Sequence, residues 1–86
     1  MTKREFDKLP RDMVQHISTA KAYSTTFRVI LPGKVAEDDR IVTITSYTKI
    51  LAYNRYGKER KAYHYRGRDY RNVDDLLTAI NNDESK

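Results

Sequence analysis

The 86-residue chain contains no cysteine. This absence excludes disulfide bonds, cysteine-ligated zinc sites and a thiol nucleophile, and it permits a reducing compartment. Apolar runs are too short to form the core of a signal peptide or a membrane span. Neither a glycine-rich phosphate loop, nor a Gly-x-Ser-x-Gly elbow, nor a His-Glu-x-x-His motif occurs. We therefore expect a cytoplasmic protein with no cofactor, no metal and no membrane partner.

The composition bounds the size of the core. Hydrophobic residues make up 38% of the chain and charged residues 34%, with a formal net charge of +5. Residues 1–86 are expected to form one small domain, since this length does not support two independent cores. A core this small, with no disulfide or metal to reinforce it, favours a binding partner or a homodimer.

The N-terminal third shows helical patterns. Thr2 and Glu5 fit a capping box, which predicts a short turn within an N-terminal arm, residues 1–9. Pro10 suits the first position of a helix, and apolar residues recur at helical spacing after it, at Met13, Val14 and Ile17. This pattern predicts an amphipathic helix over 10–21.

Four segments have the composition of strands. β-Branched and aromatic residues predict strands at 25–31 and 40–46. Residues 49–56 and 60–66 flank Gly57, which predicts a hairpin. A loop of odd length places Leu51, Tyr53, Tyr63 and Tyr65 on one face of the hairpin. A loop of even length places Tyr63 and Tyr65 on the same face as Ile50 and Ala52 instead. We favour the odd loop.

The C-terminal segment carries the clearest helical signal. Asn72 is a good N-cap, and Val73, Leu76, Leu77 and Ile80 form one apolar stripe. The helix is predicted to end near residues 81–82, with 83–86 as a frayed tail. The elements together predict an α+β fold, an antiparallel sheet of three to four strands with an N-terminal and a C-terminal helix packed on one face.

Positive charge is concentrated in the predicted hairpin and the turn after it. Residues 49–71 contain eight basic residues against two acidic ones, and six of the seven tyrosines lie in or beside this block. Cations neutralise phosphates and aromatic rings stack on bases, which suits nucleic acid. We expect phosphate or base contacts from Tyr56, Lys58, Arg60, Lys61, His64, Arg66, Arg68 and Arg71.

The order of these elements also has a counterpart in a known architecture. Three strands followed by a helix, with basic residues on the strands, resemble integrase arm-binding domains over roughly half the chain. The segments that carry the resemblance are Gly-Lys-Glu-Arg-Lys at 57–61 and Gly-Arg-Asp-Tyr at 67–70. The resemblance implies a sheet that lies in the major groove of DNA.

Three functional hypotheses follow, and the first is a noncatalytic nucleic-acid-binding or regulatory protein. The second is a small inhibitor or adaptor, of the kind that phages and mobile elements encode, which presents the same tyrosines and arginines to an acidic protein surface. The third is a metal-free ribonuclease that uses His64 as base with Arg60, Arg66 and Tyr65. A homodimer through the strand at 40–46 or through the hairpin edge is compatible with the first two.

Overall fold

A computed structural model describes residues 1–33, 36–52 and 55–84. Two α-helices lie at the ends of the chain, α1 (Lys3–Lys8) and α2 (Val73–Glu84), and a 3-10 helix spans Glu37–Arg40. The strands are β1 (Asp12–Ser18), β2 (Ala22–Ile30), β3 (Ile41–Ala52), β4 (Arg55–Tyr56), β5 (Arg60–Tyr65) and β6 (Arg68–Tyr70). They form one antiparallel sheet in the order β1-β2-β3-β5-β6, with β4 paired to β3. The α+β class is confirmed, with more strands than predicted.

Both helices pack on the same face of the sheet. Phe6 of α1 and the stripe of α2 join the sheet in one hydrophobic core. The strands contribute alternate residues, as expected where one face is covered. The core residues are Phe6, Val29, Leu31, Val42, Ile44, Tyr63, Tyr65, Leu76, Leu77 and Ile80.

The predicted helix over 10–21 is wrong. The capping box of Thr2 and Glu5 is present, but it starts the short helix α1, which is followed by strand β1. Met13, Val14 and Ile17 of the predicted stripe are 63%, 51% and 47% exposed on that strand. Their spacing of three and four residues matched a helix, yet pairing with β2 satisfies the backbone groups on one side of β1 without burying these side chains.

The strand at 40–46 and the first strand of the predicted hairpin are one continuous strand, β3. β5 pairs with the first half of β3, so that Val42 lies opposite Tyr65 and Ile44 opposite Tyr63. The predicted hairpin of 49–56 with 60–66 is therefore wrong. Its odd-loop register is wrong as well, because these tyrosines share the face of the even-numbered residues of β3. Leu51 is exposed, and Tyr53 lies outside the described residues.

A two-residue turn connects β5 to β6. Arg66 and Gly67 both have positive φ, 49° and 79°, which is the pattern of a type I′ hairpin turn. The sequence predicted a turn at Gly67, but as a connection from strand to helix. The short strand β6 lies between this turn and α2.

The C-terminal helix is confirmed and is longer than predicted. The side-chain oxygen of Asn72 accepts a hydrogen bond from the backbone N–H of Asp75 at 2.9 Å, as an N-cap does. The helix continues to Glu84, so Asp83 belongs to it and not to a frayed tail. Of the helices in the part of the chain described, none is long and apolar enough to cross a membrane.

The molecule is elongated, with extents of 49 × 23 × 22 Å. The core occupies one end of the sheet, where β2 ends and β3 begins. At the other end, Ala22–Thr26 of β2 pairs with Thr45–Lys49 of β3. We call this second end the arm, and we include in it residues 15–18 of β1, the end of β3 as far as Ala52, strand β4 and residues 57–60. Both faces of the arm extend past the part of the sheet where the helices pack on the core.

Candidate nucleic-acid interface

The register of the strands assigns each side chain to one of two faces. Val42 and Ile44 define the core face, which the helices cover. The odd-numbered residues of β3, from Ile41 to Leu51, define the opposite face, which we call the open face. Paired residues on neighbouring strands share a face, so the pairing extends this assignment across the sheet.

A groove lies on the open face of the arm, where β3 and β5 diverge. Its volume is about 440 Å³. The strand pairing places Tyr47 directly opposite Arg60. Tyr47 is 44% exposed and Leu51 61% exposed. The residues that line the groove are Tyr47, Lys49, Leu51, Gly57, Lys58 and Arg60.

The local chain path explains why these side chains meet. Tyr47, Lys49 and Leu51 are spaced by two residues on β3, so they point to the same face. β4 pairs antiparallel with the end of β3, and the backbone N–H of Gly57 donates to the carbonyl of Lys49 at 2.6 Å. A Cβ atom at position 57 would lie 3.3 Å from that carbonyl oxygen. Glycine therefore permits the close approach that brings Lys58 to the groove.

The groove is electropositive. Among the described residues that line it, three are cations and none is acidic. Glu59, which lies between Lys58 and Arg60 in the chain, accepts a hydrogen bond from the hydroxyl of Ser46 at 2.7 Å. Ser46 is on the core face, so the carboxylate is directed away from the groove. Glu59 therefore does not neutralise the positive charge of the groove.

Nearer the core, a row of polar residues crosses the open face. Asp12, Arg28, Thr43, His64 and Asp69 lie opposite one another on five successive strands. Nδ1 of His64 is 2.7 Å from a carboxylate oxygen of Asp69. Because an ionised carboxylate only accepts, the proton of this hydrogen bond is assigned to Nδ1.

The structure brings together two of the eight predicted contact residues in the groove, Lys58 and Arg60. His64 shares the open face with them but lies outside the groove, in the row of polar residues nearer the core. Lys61 is on the core face, with its ammonium group 3.9 Å from Glu59. Arg71 is exposed in the bend before α2. The eight residues therefore do not form one continuous patch.

Tyr56, another of the predicted contact residues, is on the core face, whereas His64 is on the open face. It pairs with Ile50 of β3, and its ring lies 6.0 Å from the ring of Tyr23 in an edge-to-face arrangement. Tyr23 in turn lies 6.5 Å from the ring of His16. These aromatic residues pack with one another on the side of the arm opposite the groove.

Arg66 and Arg68 line a second cavity, of about 330 Å³, between β6 and the C-terminal end of α2. Arg66 forms an ion pair with Asp83 at 3.3 Å, and Asp83 raises the pKa of this guanidinium. The hydroxyl of Tyr65 hydrogen-bonds with both residues, and burial is the main cause of its raised pKa. This cluster joins the hairpin to α2.

The four residues of the ribonuclease hypothesis are not assembled. His64 and Arg60 are on the open face, while Tyr65 is buried on the core face. Arg66 is directed to Asp83 of α2. In the described part of the chain, no group of three or more His, Cys, Asp or Glu residues could hold a metal ion.

Sequence reasoning missed Tyr47 and Leu51 as members of the site. Lys49 was counted within the basic block but was not assigned a contact. The signal was the alternation of these three residues, which implies a common face once β3 is recognised as one strand of 12 residues. Dividing this strand at residues 46 and 49 concealed the alternation.

Comparison with protein-family models, with curated proteins and with solved structures finds no match to this chain.

Proposed function

We propose that this protein binds single-stranded nucleic acid in the groove on the open face of its arm. Lys49, Lys58 and Arg60 contact phosphates, and the ring of Tyr47 stacks on a base. The protein acts by binding rather than by catalysis, in the cytoplasm. One observation carries the proposal, an exposed tyrosine ring beside three cations in a groove where none of the described lining residues is acidic.

The exposed ring is the reason for preferring a single strand. Stacking on a side chain needs a base whose face is free, and a paired duplex hides its base faces. A cationic groove that follows the backbone, with a ring for stacking, is the usual arrangement in proteins that bind single strands. Tyr47 and Arg60 lie side by side on neighbouring strands, so one nucleotide can reach both.

The exposed apolar residues favour a second candidate, an acidic protein partner on the same face. Ile17 lies in one row with Ser24, Tyr47 and Arg60, and Leu51 borders the groove. Tyrosine and arginine are common at the energetic centres of protein interfaces. Such a partner would be held mainly by apolar contact, with less dependence on salt than phosphate binding shows.

Salt and strandedness test the proposal. Fluorescence anisotropy should measure binding to a labelled single-stranded DNA, the same sequence as RNA, and a duplex, at about 50 and 200 mM salt. Three phosphate contacts on a single strand give a slope of about −2 in log affinity against log salt, which is roughly a 20-fold loss over this range. We expect single strands to bind more tightly than the duplex, and the comparison of DNA with RNA identifies the polymer.

A matched pair of variants tests the role of Tyr47. Tyr47→Leu removes the ring from the groove, whereas Tyr56→Leu removes an exposed ring from the opposite face. Loss of one stacked base costs about 1–3 kcal/mol, so the first variant should bind at least fivefold more weakly and the second should be unchanged. The absence of binding by folded wild-type protein at low salt would overturn the proposal and favour the protein partner.

A further inference from the structure

Strand β1 is an exposed edge of the described sheet. All seven residues of Asp12–Ser18 are exposed, and its one neighbour in the sheet is β2. Three of these residues are large and apolar, Met13, Val14 and Ile17. The strands through which the sequence predicted dimerisation, 40–46 and the hairpin strand at 60–66, pair on both sides within the sheet. β1 is thus a different edge from those predicted.

The second half of β1 lacks the usual protection of an edge. Natural edges are commonly protected by lysine, by proline, by an inward-pointing charge or by a bulge. Residues 15–18 read Gln-His-Ile-Ser, with no lysine, proline or carboxylate. The register shifts between Met13 and Gln15, which is a bulge at one end of the strand. From Gln15 to Ser18 the pairing with β2 is regular, so the outer side of this stretch can accept another strand.

The charges at the two ends of β1 are complementary to each other. Asp12 lies at the start of the strand, and Lys21 follows its end in the turn to β2. When two identical strands pair antiparallel, the start of each approaches the end of the other. Asp12 of each copy therefore approaches Lys21 of its partner, and the two-fold symmetry forms this contact twice.

We propose that β1 pairs antiparallel with β1 of a second copy of this chain, so that the two sheets become continuous. Two conditions select the register: opposite residues must lie on the same face, and apolar residues must pair. Both are met when Ile17 lies opposite Ile17 of the partner at the two-fold axis. His16 then lies opposite Ser18 on the core face. The pairing of two such edges buries less area than a standard interface, so the dimer is weak and depends on concentration.

One consequence rests on the function proposed above. Ile17, Ser24, Tyr47 and Arg60 form one row on the open face. In the dimer this row continues into the same row of the partner in reverse order. The two grooves then face the same way on one sheet, and a long single strand can contact both.

Sedimentation equilibrium tests the dimer without nucleic acid. Wild-type protein should pass from monomer to dimer between about 10 µM and about 1 mM, the range of weak association. Ile17→Lys places two like charges at the axis and should remain monomeric over this range. Leu51→Lys makes the same substitution at an exposed residue away from the edge and should dimerise like the wild type. Circular dichroism checks that both variants fold.

Hydrogen exchange gives a second measurement that needs no variant. Backbone N–H groups of residues 15–18 that face away from β2 should exchange more slowly at high protein concentration than at low concentration. Wild-type protein that stays monomeric up to about 1 mM, or an Ile17→Lys variant that dimerises normally, would overturn the dimer. Neither result affects binding of a short oligonucleotide to one groove, so the dimer and the proposed function fail separately.

Discussion

Arg60 and Lys61 are adjacent in the chain and carry the same charge, yet they lie on opposite faces of the sheet. Arg60 lines the groove beside Tyr47, and Lys61 lies beside Glu59 on the core face. If the groove binds phosphate, Arg60→Gln should weaken single-strand binding several-fold and reduce the salt slope by about 0.7. Anisotropy titrations at several salt concentrations measure both quantities.

Lys61→Gln is the matched control, because it removes the same charge from the neighbouring residue. Its salt slope should stay close to that of the wild type. Equal effects of the two substitutions would mean that net charge, and not the groove, determines binding. That outcome would contradict the site while leaving nonspecific attraction to nucleic acid intact.

Gly67 has a φ of 79° in the hairpin turn between β5 and β6. A side chain at this position is strained even though nothing lies near the added Cβ. Gly67→Ala should therefore lower the free energy of unfolding by about 1–2 kcal/mol. Urea denaturation measures the change, and Gly33→Ala is a comparison at a glycine without a positive φ. A Gly67→Ala protein as stable as the wild type would contradict the turn geometry.

Tyr65 links pH to stability. Burial favours its neutral phenol, and the hydrogen bond to Asp83 acts in the same direction, so the pKa of Tyr65 in the folded protein lies above its ordinary value of 10.0. The folded protein keeps this proton at a pH where the unfolded chain has lost it. The free energy of unfolding should therefore be insensitive to this group below about pH 10 and should fall as the pH rises further.

Tyr65→Phe tests this relationship. The variant should lose about 1 kcal/mol at neutral pH, because the phenol's hydrogen bonds are absent. Its stability should then decline less than that of the wild type above about pH 10. Urea denaturation at several pH values measures both effects. Tyr63 is also buried with a raised pKa, so part of the alkaline decline should remain in the variant.

The elements that sequence predicted well are those whose local signals agree with their packing. In α2, the N-cap, the acidic first turn and the apolar stripe all indicate the same helix, and the stripe is buried. The capping box of Thr2 and Glu5 is equally local, since its hydrogen bonds close within four residues. Such features do not depend on the rest of the fold.

The elements that sequence predicted poorly depend on pairing between distant residues. β1 is exposed along its whole length, so no alternation of apolar and polar residues marks it as a strand. The face of Tyr56 follows from the antiparallel pairing of β4 with β3, which places it opposite Ile50. Composition identified the basic, tyrosine-rich block at 49–71. The strand register, which composition does not reveal, places some of its residues on the open face, some on the core face and some in the turn after β5.

Phe6 and Met13 distinguish the observed fold from the helix predicted over 10–21. Phe6 is fully buried against the core, whereas Met13 is 63% exposed on β1. Phe6→Leu should lower the free energy of unfolding by about 1 kcal/mol or more, because it leaves a space in a small core. Met13→Ala should change it by no more than about 0.5 kcal/mol. Were residues 10–21 a helix packed on the sheet, Met13 would be a core residue and its truncation would cost about 2–5 kcal/mol. Urea denaturation of both variants at low protein concentration, where β1 is unpaired, decides between these two arrangements.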